Sequence, residues 1–502
     1  MAHGRSWVRN TLPLVATIRA VSAILFATTP GWAADIATRA TQAFEKAQQG
    51  DCRSSLPILG SVSRDKAFAS LNDAARLATY EVAVSCSYDL KDQASAYRYA
   101  LEGTRVGPGS GFLWNARLLS LMNGDRLSDA VATLEAMGVR NPEALNGLRM
   151  SRLFSLYRKL KDRSEPALRE RFLTVLTGTG YQPDELLATG DYFKRERASQ
   201  LIAAGDRAGA AALVKRMTEP RILLDVSFDS RLRNLMAPDF DERAAAEKRL
   251  AQLREIAASH VNSLAILLEL SRYQRILGQV EEALATLESA RPDGPGGKDF
   301  MDLDEKKNWW WDEMARSYQM LGRYDDAVSA FGQGIAAKED GSPNVSQTIN
   351  LGHAHLRFGH PDLALKTVAV FDTPRSASPY GEMEVRLVRG CAQAALGEQA
   401  ALADTLRYAR EHERDHPEAL TDLLLCVDDM DGAAASMIRR LDDPERRVDA
   451  LKQLSTFDPP PPTYPQMPFE VKMADLKARA DVQAAMQRAG GARRVHLQAR
   501  EL

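Results

Sequence analysis

The sequence predicts an all-α fold, an array of antiparallel helical hairpins stacked as an α-solenoid. Three observations carry that expectation. Hydrophobic residues make up 45% of the 502 but aromatics only 7%, so the apolar content is mostly Ala, Leu and Val, which suits close-packed helices better than aromatic-rich strands. A helical stretch, a small or polar turn and a second helical stretch recur, with turns centred near Gly50, Lys91, Asp125, Asp162, Gly205, Gly278, Gly322, Gly359, Gly397 and Asp431. No sustained apolar/polar alternation bounded by turn residues appears, so a sheet is not expected.

Residues 1–33 stand apart. Arg5, Arg9 and Arg19 precede a short apolar run, 20–27, and Gly31-Trp32-Ala33 then offers small residues at the two positions a signal peptidase reads. A secretory signal is expected there, with an amphipathic helix or a retained anchor as alternatives; the run is too short to span a bilayer. Its removal takes three arginines and no acid, moving the formal charge from -2 to -5. The balance of 65 basic against 67 acidic residues argues against nucleic acid as a partner and against a polybasic membrane binder. No stretch of about 20 apolar residues predicts a span in the mature chain. The expected location is therefore a bacterial periplasm or the cell exterior, where disulfides persist.

Most successive turns lie 34 to 44 residues apart, but 73 separate Gly205 from Gly278. That gap holds an irregular stretch with Pro220 and Pro238. The chain is accordingly expected to comprise an N-terminal helical array over 35–217, an irregular joint over 218–241 and a second array over 242–456.

The clearest unit runs from Trp311 to Ile335. Trp311, Met314, Ala315 and Tyr318 fall at i, i+3, i+4 and i+7; Gly322 ends that helix, and Tyr324, Ala327 and Phe331 form the stripe of the next. Ala315 and Ala327 let two antiparallel helices approach closely, while Trp311, Tyr318 and Phe331 fill the grooves around the contact. This unit resembles the tetratricopeptide repeat, in which a Trp, then Leu-Gly and Tyr, mark the first helix and Ala and Phe the second. Met314-Ala315 stands for Leu-Gly, and the closing proline is displaced to Pro343. Leu351-Gly352, His355, Gly359, Ala364 and Val368 match more loosely, as do Ser271, Gln274, Gly278, Ala283 and Leu287 upstream. Ala198, Gly205, Ala210 and Val214 keep only the small-residue skeleton, and the unit around Gly390 and Gly397 fits with its first helix shifted by about one position. The resemblance covers roughly 35–455, most strongly 309–371, and implies a right-handed superhelix. The alternative, an unrelated bundle of helical hairpins, is equally all-α.

Repeat phase bears on the four cysteines. Cys52 and Cys86 are 34 residues apart and Cys391 and Cys426 are 35 apart, so each pair falls on neighbouring hairpins. Cys52 begins a second helix just after Gly50, and Cys86 ends the next first helix just before Lys91; antiparallel packing brings such ends together. Both pairs are disulfide candidates, with four buried free thiols as the alternative.

Chemistry is sparse. His412-Glu413-Arg414-Asp415-His416 has the form H-E-x-x-H, which on a helix would place two imidazoles for zinc and a glutamate beside a metal-bound water. Charged residues fill its middle, Pro417 biases His416 out of the helical region, and no third ligand sits at position 419 or 422. A solvated helix end is the reading preferred, and the His353, His355 and His360 group is expected to be structural or surface. The loop Gly294-Pro295-Gly296-Gly297-Lys298 lacks P-loop spacing, and neither G-x-S-x-G nor C-x-x-C occurs. Asn344-Val345-Ser346 has the form of a glycosylation acceptor, which needs a eukaryotic secretory pathway. No enzyme activity, metal or cofactor is therefore expected.

What remains is a surface. In tetratricopeptide-like arrays the first helices line the inner side, and the stripe beside the buried one faces a groove. That stripe is Trp309, Asp312, Arg316 and Gln319, then Ser346, Ile349, His353 and Leu356 with Arg357 adjacent, preceded by Leu268, Arg272 and Arg275. Arginine beside an exposed tryptophan is a hot-spot composition; the alternative is that Trp309 and Trp310 pack against the 292–308 loop. The family's carboxylate clamp uses Lys and Asn, whereas Asp312 and Arg316 stand here, so the resemblance does not extend to recognising a C-terminal carboxylate. After Phe457, Pro459–Pro462, Pro465 and Pro468 predict an extended linker over 457–468. A short helix, about 469–489, and a tail to 502 follow, expected to cap the last hairpin. The expected function is an exported, non-enzymatic scaffold that binds a protein or extended peptide. The alternatives are an envelope zinc peptidase using the His412–His416 segment and an accessory subunit of polysaccharide or outer-membrane assembly machinery.

Overall fold

The computed structural model describes residues 34–107, 109–178, 180–291, 299–337, 344–372 and 377–498. The expected secretory signal, the glycine-rich loop at 294–298 and Pro343 lie outside the described residues. The chain divides into two compact units, Met1–Met217 and Thr218–Leu502.

The first unit is a succession of hairpins: α1 (Ala34–Gln48) with α2 (Cys52–Arg64), α3 (Asp73–Asp89) with α4 (Gln93–Val106), and α5 (Gly111–Asn123) with α6 (Leu127–Arg140). A short α7 (Pro142–Asn146) precedes α8 (Met150–Asp162) with α9 (Pro166–Thr177), and α10 (Asp191–Ala203) with α11 (Arg207–Val214). Three of the turns share a recipe: a residue in the left-handed region, then an aspartate that caps the second helix. Gly50-Asp51, Lys91-Asp92 and Gly205-Asp206 follow it, the aspartates accepting from the amides of Ser54, Ser95 and Gly209 at 3.1, 3.0 and 2.8 Å. The turn expected at Asp162 has its left-handed residue at Ser164. Cys52 and Cys86 are disulfide-bonded with Cα atoms 5.0 Å apart. Beneath the hairpins lie two apolar clusters, one around Phe44, Leu59 and Tyr80 and one around Trp114, Tyr157, Phe172 and Phe193.

The second unit begins where an irregular joint was expected. Residues 218–241 instead hold α12 (Pro220–Phe228), because Pro220 takes the first helical position, where its missing N–H costs nothing. Then follow α13 (Glu242–Ser259), α14 (Leu264–Ile276) with α15 (Val280–Glu288), α16 (Leu303–Met320) with α17 (Tyr324–Ala336), and α18 (Val345–Arg357) with α19 (Pro361–Val368). Next come α20 (Pro379–Leu396) with α21 (Gln399–Glu411), α22 (Pro417–Cys426) with α23 (Met430–Asp442), and α24 (Arg447–Leu454). The turn recipe recurs at Asp428-Asp429, three residues before the expected Asp431. Cys391 and Cys426 are bonded with Cα atoms 5.2 Å apart. In the best-formed repeat, Met314, Ala315, Ala327 and Phe331 are buried, but the fully buried tryptophan is Trp310, whose Nε1–H donates to the Leu287 carbonyl at 3.1 Å. Trp311 packs at the edge of that cluster.

The C-terminal segment departs from expectation in three ways. The single helix is two, α25 (Pro468–Ala478) and α26 (Ala480–Ala489), broken at the extended Arg479. The proline run makes a turn, Tyr464 N–H donating to Pro461 O at 2.9 Å. A small parallel pair also forms, β1 (Thr456–Phe457) with β2 (Arg494–Val495), although no sheet was expected. While α25 and α26 pack on α22 and α23, the residues around them reach the start of the unit. Lys452 pairs with Asp225 at 2.9 Å, Arg493 with Glu242 at 3.0 Å, and Gln498 N–H donates to Ile276 O at 2.9 Å. These contacts tie the end of the second unit to its beginning.

Candidate functional site

The first helices α16, α18, α20 and α22 of the second unit border a cleft of about 330 Å³. Four residues of the expected stripe line it: Arg316 and Gln319 from α16, His353 and Arg357 from α18. Asp312 lies beneath them, buried, its carboxylate accepting from Arg316 Nε and from Asn350 Nδ2, each at 2.7 Å. It therefore orients the arginine instead of meeting a partner.

The rest of the stripe requires correction. Arg275 is only 1% exposed, paired with Glu313 of α16. Arg272 spans Glu269 and Glu313, both at 3.1 Å. Burying the Arg275 guanidinium demands a carboxylate, and Glu313 supplies it from the facing helix; Arg272, its side chain 31% exposed, shares that carboxylate, and neither arginine lines the cleft. Trp309, 39% exposed, and Ser346, an exposed residue in the first turn of α18, also lie outside the lining.

The centre of the cleft is Glu384 on α20. His353 Nε2 and His416 Nε2 lie 2.8 and 2.7 Å from its two oxygens, one imidazole to each. Burial alone would raise this carboxyl, but the hydrogen bonds from His353 and His416, with their charge, outweigh it and hold Glu384 well below the ordinary carboxylate range. Tyr380, one turn before Glu384, is exposed at the rim and stacks on the His416 ring at 4.2 Å between centroids. The cleft is thus a polar floor with aromatic edges.

Its remaining wall is the chain's own C-terminal segment. Thr463 Oγ1 donates to the Met320 carbonyl at 2.8 Å, at the end of α16. Gly322 admits that approach: its φ is +72°, and a Cβ there would sit 3.0 Å from the Thr463 carbonyl oxygen. Arg357 donates to Pro465 O at 2.6 Å, grips Glu470 with both terminal nitrogens, and lies 4.1 Å from the Tyr464 ring centre.

The His412–His416 segment does not form the helix that a zinc-peptidase motif needs. α21 ends at Glu411, and His416 is the extended residue capping α22. His412 pairs with Asp415, Glu413 with Arg439 and His416 with Glu384; among the described residues no three His, Cys, Asp or Glu side chains are grouped to hold a metal. Nor is His416 the solvated residue expected, since it is part of the cleft. No helix among the described residues is long and apolar enough to cross a membrane.

Glu384 and the Tyr464–Glu470 wall lie outside the stripe that helical spacing marks, and His416, singled out in the sequence only as a zinc candidate, belongs to the cleft. Glu384 sits in the unit whose first helix is shifted by about one position, which obscured its facing. The wall meets α18 across 113 residues, a separation that leaves no periodic trace; its one local sign is Glu470 three residues after Met467, where the carboxylate accepts from the Met467 amide.

No family model matches the sequence, and no curated protein matches it. Among solved structures, the APC/C hetero-tetramer Cut9-Hcn1 is 13% identical, with 96% of this chain and 95% of that chain covered and a TM-score of 0.29. Yeast Tom70 is 11% identical, covering 90% and 96% at a TM-score of 0.33. A human IFIT1 dimer with PPP-AAAA is 13% identical, covering 95% and 93% at 0.34. Likeness at this level says nothing about partner or activity. The chain is an all-α protein of antiparallel helical hairpins, an architecture defined by its own turns, caps and buried faces.

Proposed function

We propose that the chain is an exported, non-enzymatic scaffold that binds an extended segment of a protein partner on the inner face of its second unit. The observation that carries this reading is the lie of Thr463–Glu470. Non-helical chain, residues 463–467, already rests against the ends of α16 and α18, held through a backbone carbonyl and an aromatic ring, and the Glu470 carboxylate in the first turn of α25 completes the contact; a backbone carbonyl is a group that any extended peptide offers. Each basic group in the lining faces a carboxylate, so a polyanion such as nucleic acid is not the expected occupant. The charge pattern of residues 1–33 and the two disulfides support export.

Site-specific photocrosslinking in the native cell tests the proposal. A photoreactive residue at Tyr380 should yield discrete protein adducts that the same residue at Val139, exposed in the first unit, does not. Identical adduct patterns at both positions would refute it.

A further inference from the structure

A second cleft, of about 350 Å³, lies between α2 and α4 of the first unit. Its lining carries Arg53, Arg64 and Arg98 and no acid. Among the described residues none of the three has an ion-pair partner; Arg98 touches Ser95 Oγ at 3.3 Å and lies 4.8 Å from the Tyr99 ring centre. The neighbouring acids have other roles. Asp51 and Asp92 cap α2 and α4, and Asp65 pairs with Arg39 at 3.1 Å. Asp92 is near enough to Arg98 to feel its charge, but with no acid in the lining the cleft concentrates positive charge, unlike the matched lining of the other.

At its floor residue 60 is glycine, which lets the Tyr99 hydroxyl lie close against α2. A Cβ there would lie 2.7 Å from the Tyr99 hydroxyl and 3.7 Å from an Arg64 guanidinium nitrogen, so Gly60 keeps clear the point where those two donors converge. Pro57, exposed within α2, has no amide hydrogen for the Arg53 carbonyl four residues earlier, which leaves a backbone acceptor without its helical donor on the same face. Leu56 and Leu90 add apolar shoulders, and the Cys52–Cys86 disulfide ties down the end of α2 next to Arg53. Guanidinium and phenol donors suit carboxylates, a backbone acceptor suits an amide N–H, and apolar shoulders suit aliphatic side chains. One ligand class carries all three. We infer that this cleft docks an acidic peptide segment of a partner protein, Arg53, Arg64 and Arg98 receiving its carboxylates.

The site lies in the other unit, so its failure leaves the proposal for the second unit untouched. A fluorescein-labelled octapeptide alternating Glu with Leu is titrated into the full chain and followed by anisotropy. Its Lys–Leu counterpart, inorganic phosphate and vesicles of anionic phospholipid serve as separate arms. The expected result is saturable binding of the acidic peptide alone, weakened about tenfold or more by Arg53→Glu with Arg98→Glu, with helical circular dichroism and melting midpoint unchanged. Gly60→Ala should weaken it as well, by displacing the Tyr99 hydroxyl. Equal affinity in the charge-reversed variant would overturn the inference, as would equal binding of the Lys–Leu peptide, or arginine-dependent binding of phosphate or vesicles without peptide binding.

Discussion

Arg357 and Glu470 face each other across 113 residues of sequence as a two-pronged pair, the guanidinium nitrogens 3.0 and 3.1 Å from the carboxylate oxygens. The same carboxylate accepts from the Met467 amide at 2.8 Å, so one side chain both starts α25 and ties it to α18. Arg357→Ala should cost about 2 kcal/mol and release the proline-rich segment over the cleft. Limited proteolysis with mass mapping should then show new cleavage between residues 457 and 468; an unchanged digest would mean that the pair does not hold the segment.

The adjacent tryptophans of α16 should behave oppositely. Trp310 is 0% exposed and hydrogen-bonded through its indole, whereas Trp309 is at the surface. Trp310→Ala should destabilise the protein by about 3–5 kcal/mol and Trp309→Ala by no more than about 0.5 kcal/mol, read from urea unfolding midpoints. Comparable losses would contradict the assignment of the buried ring.

His355 gives a pH dependence with a definite sign. Burial, assisted by the nearby charge of His360 and opposed by Asp362, pushes this imidazole down from 6.5 to about 4. Above pH 6.5 it is neutral in the folded and unfolded chain alike. Between about pH 6.5 and 4 only the unfolded chain takes up the proton, so stability falls as pH falls through that window, by about 3 kcal/mol at most. His355→Gln should flatten this part of the stability profile relative to the parent. Parallel profiles would exclude His355 as the source.

The disulfides make a chemical prediction. Protein prepared without reductant and alkylated under denaturing conditions should gain no alkyl group, and after reduction should gain four. Each bond closes a loop long enough to contribute about 4 kcal/mol through the unfolded chain, so reduction should also lower the melting temperature. Four groups gained before reduction would mean free thiols.

Much of the fold was legible because its signals are local. Gly50, Gly205, Gly278, Gly322, Gly359 and Gly397 all stand in the left-handed conformation at their turns. Ser164 and Asp428 take that conformation without being glycine, which displaced two expected turns by two or three residues. Pro220 read as a breaker but opens α12, since proline is excluded only from helix interiors. The site was less legible. Helical spacing shows which face of α16 and α14 carries Arg316, Arg272 and Arg275, but not that Glu313 pairs with the latter two and holds Arg275 in the interior. His416 joined the cleft only through Glu384, and the wall from Tyr464 to Glu470 only through tertiary closure.

On the function proposed above, the inner face of the second unit holds extended peptide. The most direct measurement titrates a labelled peptide with the sequence of residues 461–470 into full-length protein carrying Glu470→Ala, which loosens the resident segment, and into the same protein with Arg357→Ala added. The account predicts saturable binding to the first and loss of about tenfold or more in affinity with the second. Absence of binding to both, or equal binding to both, would contradict it.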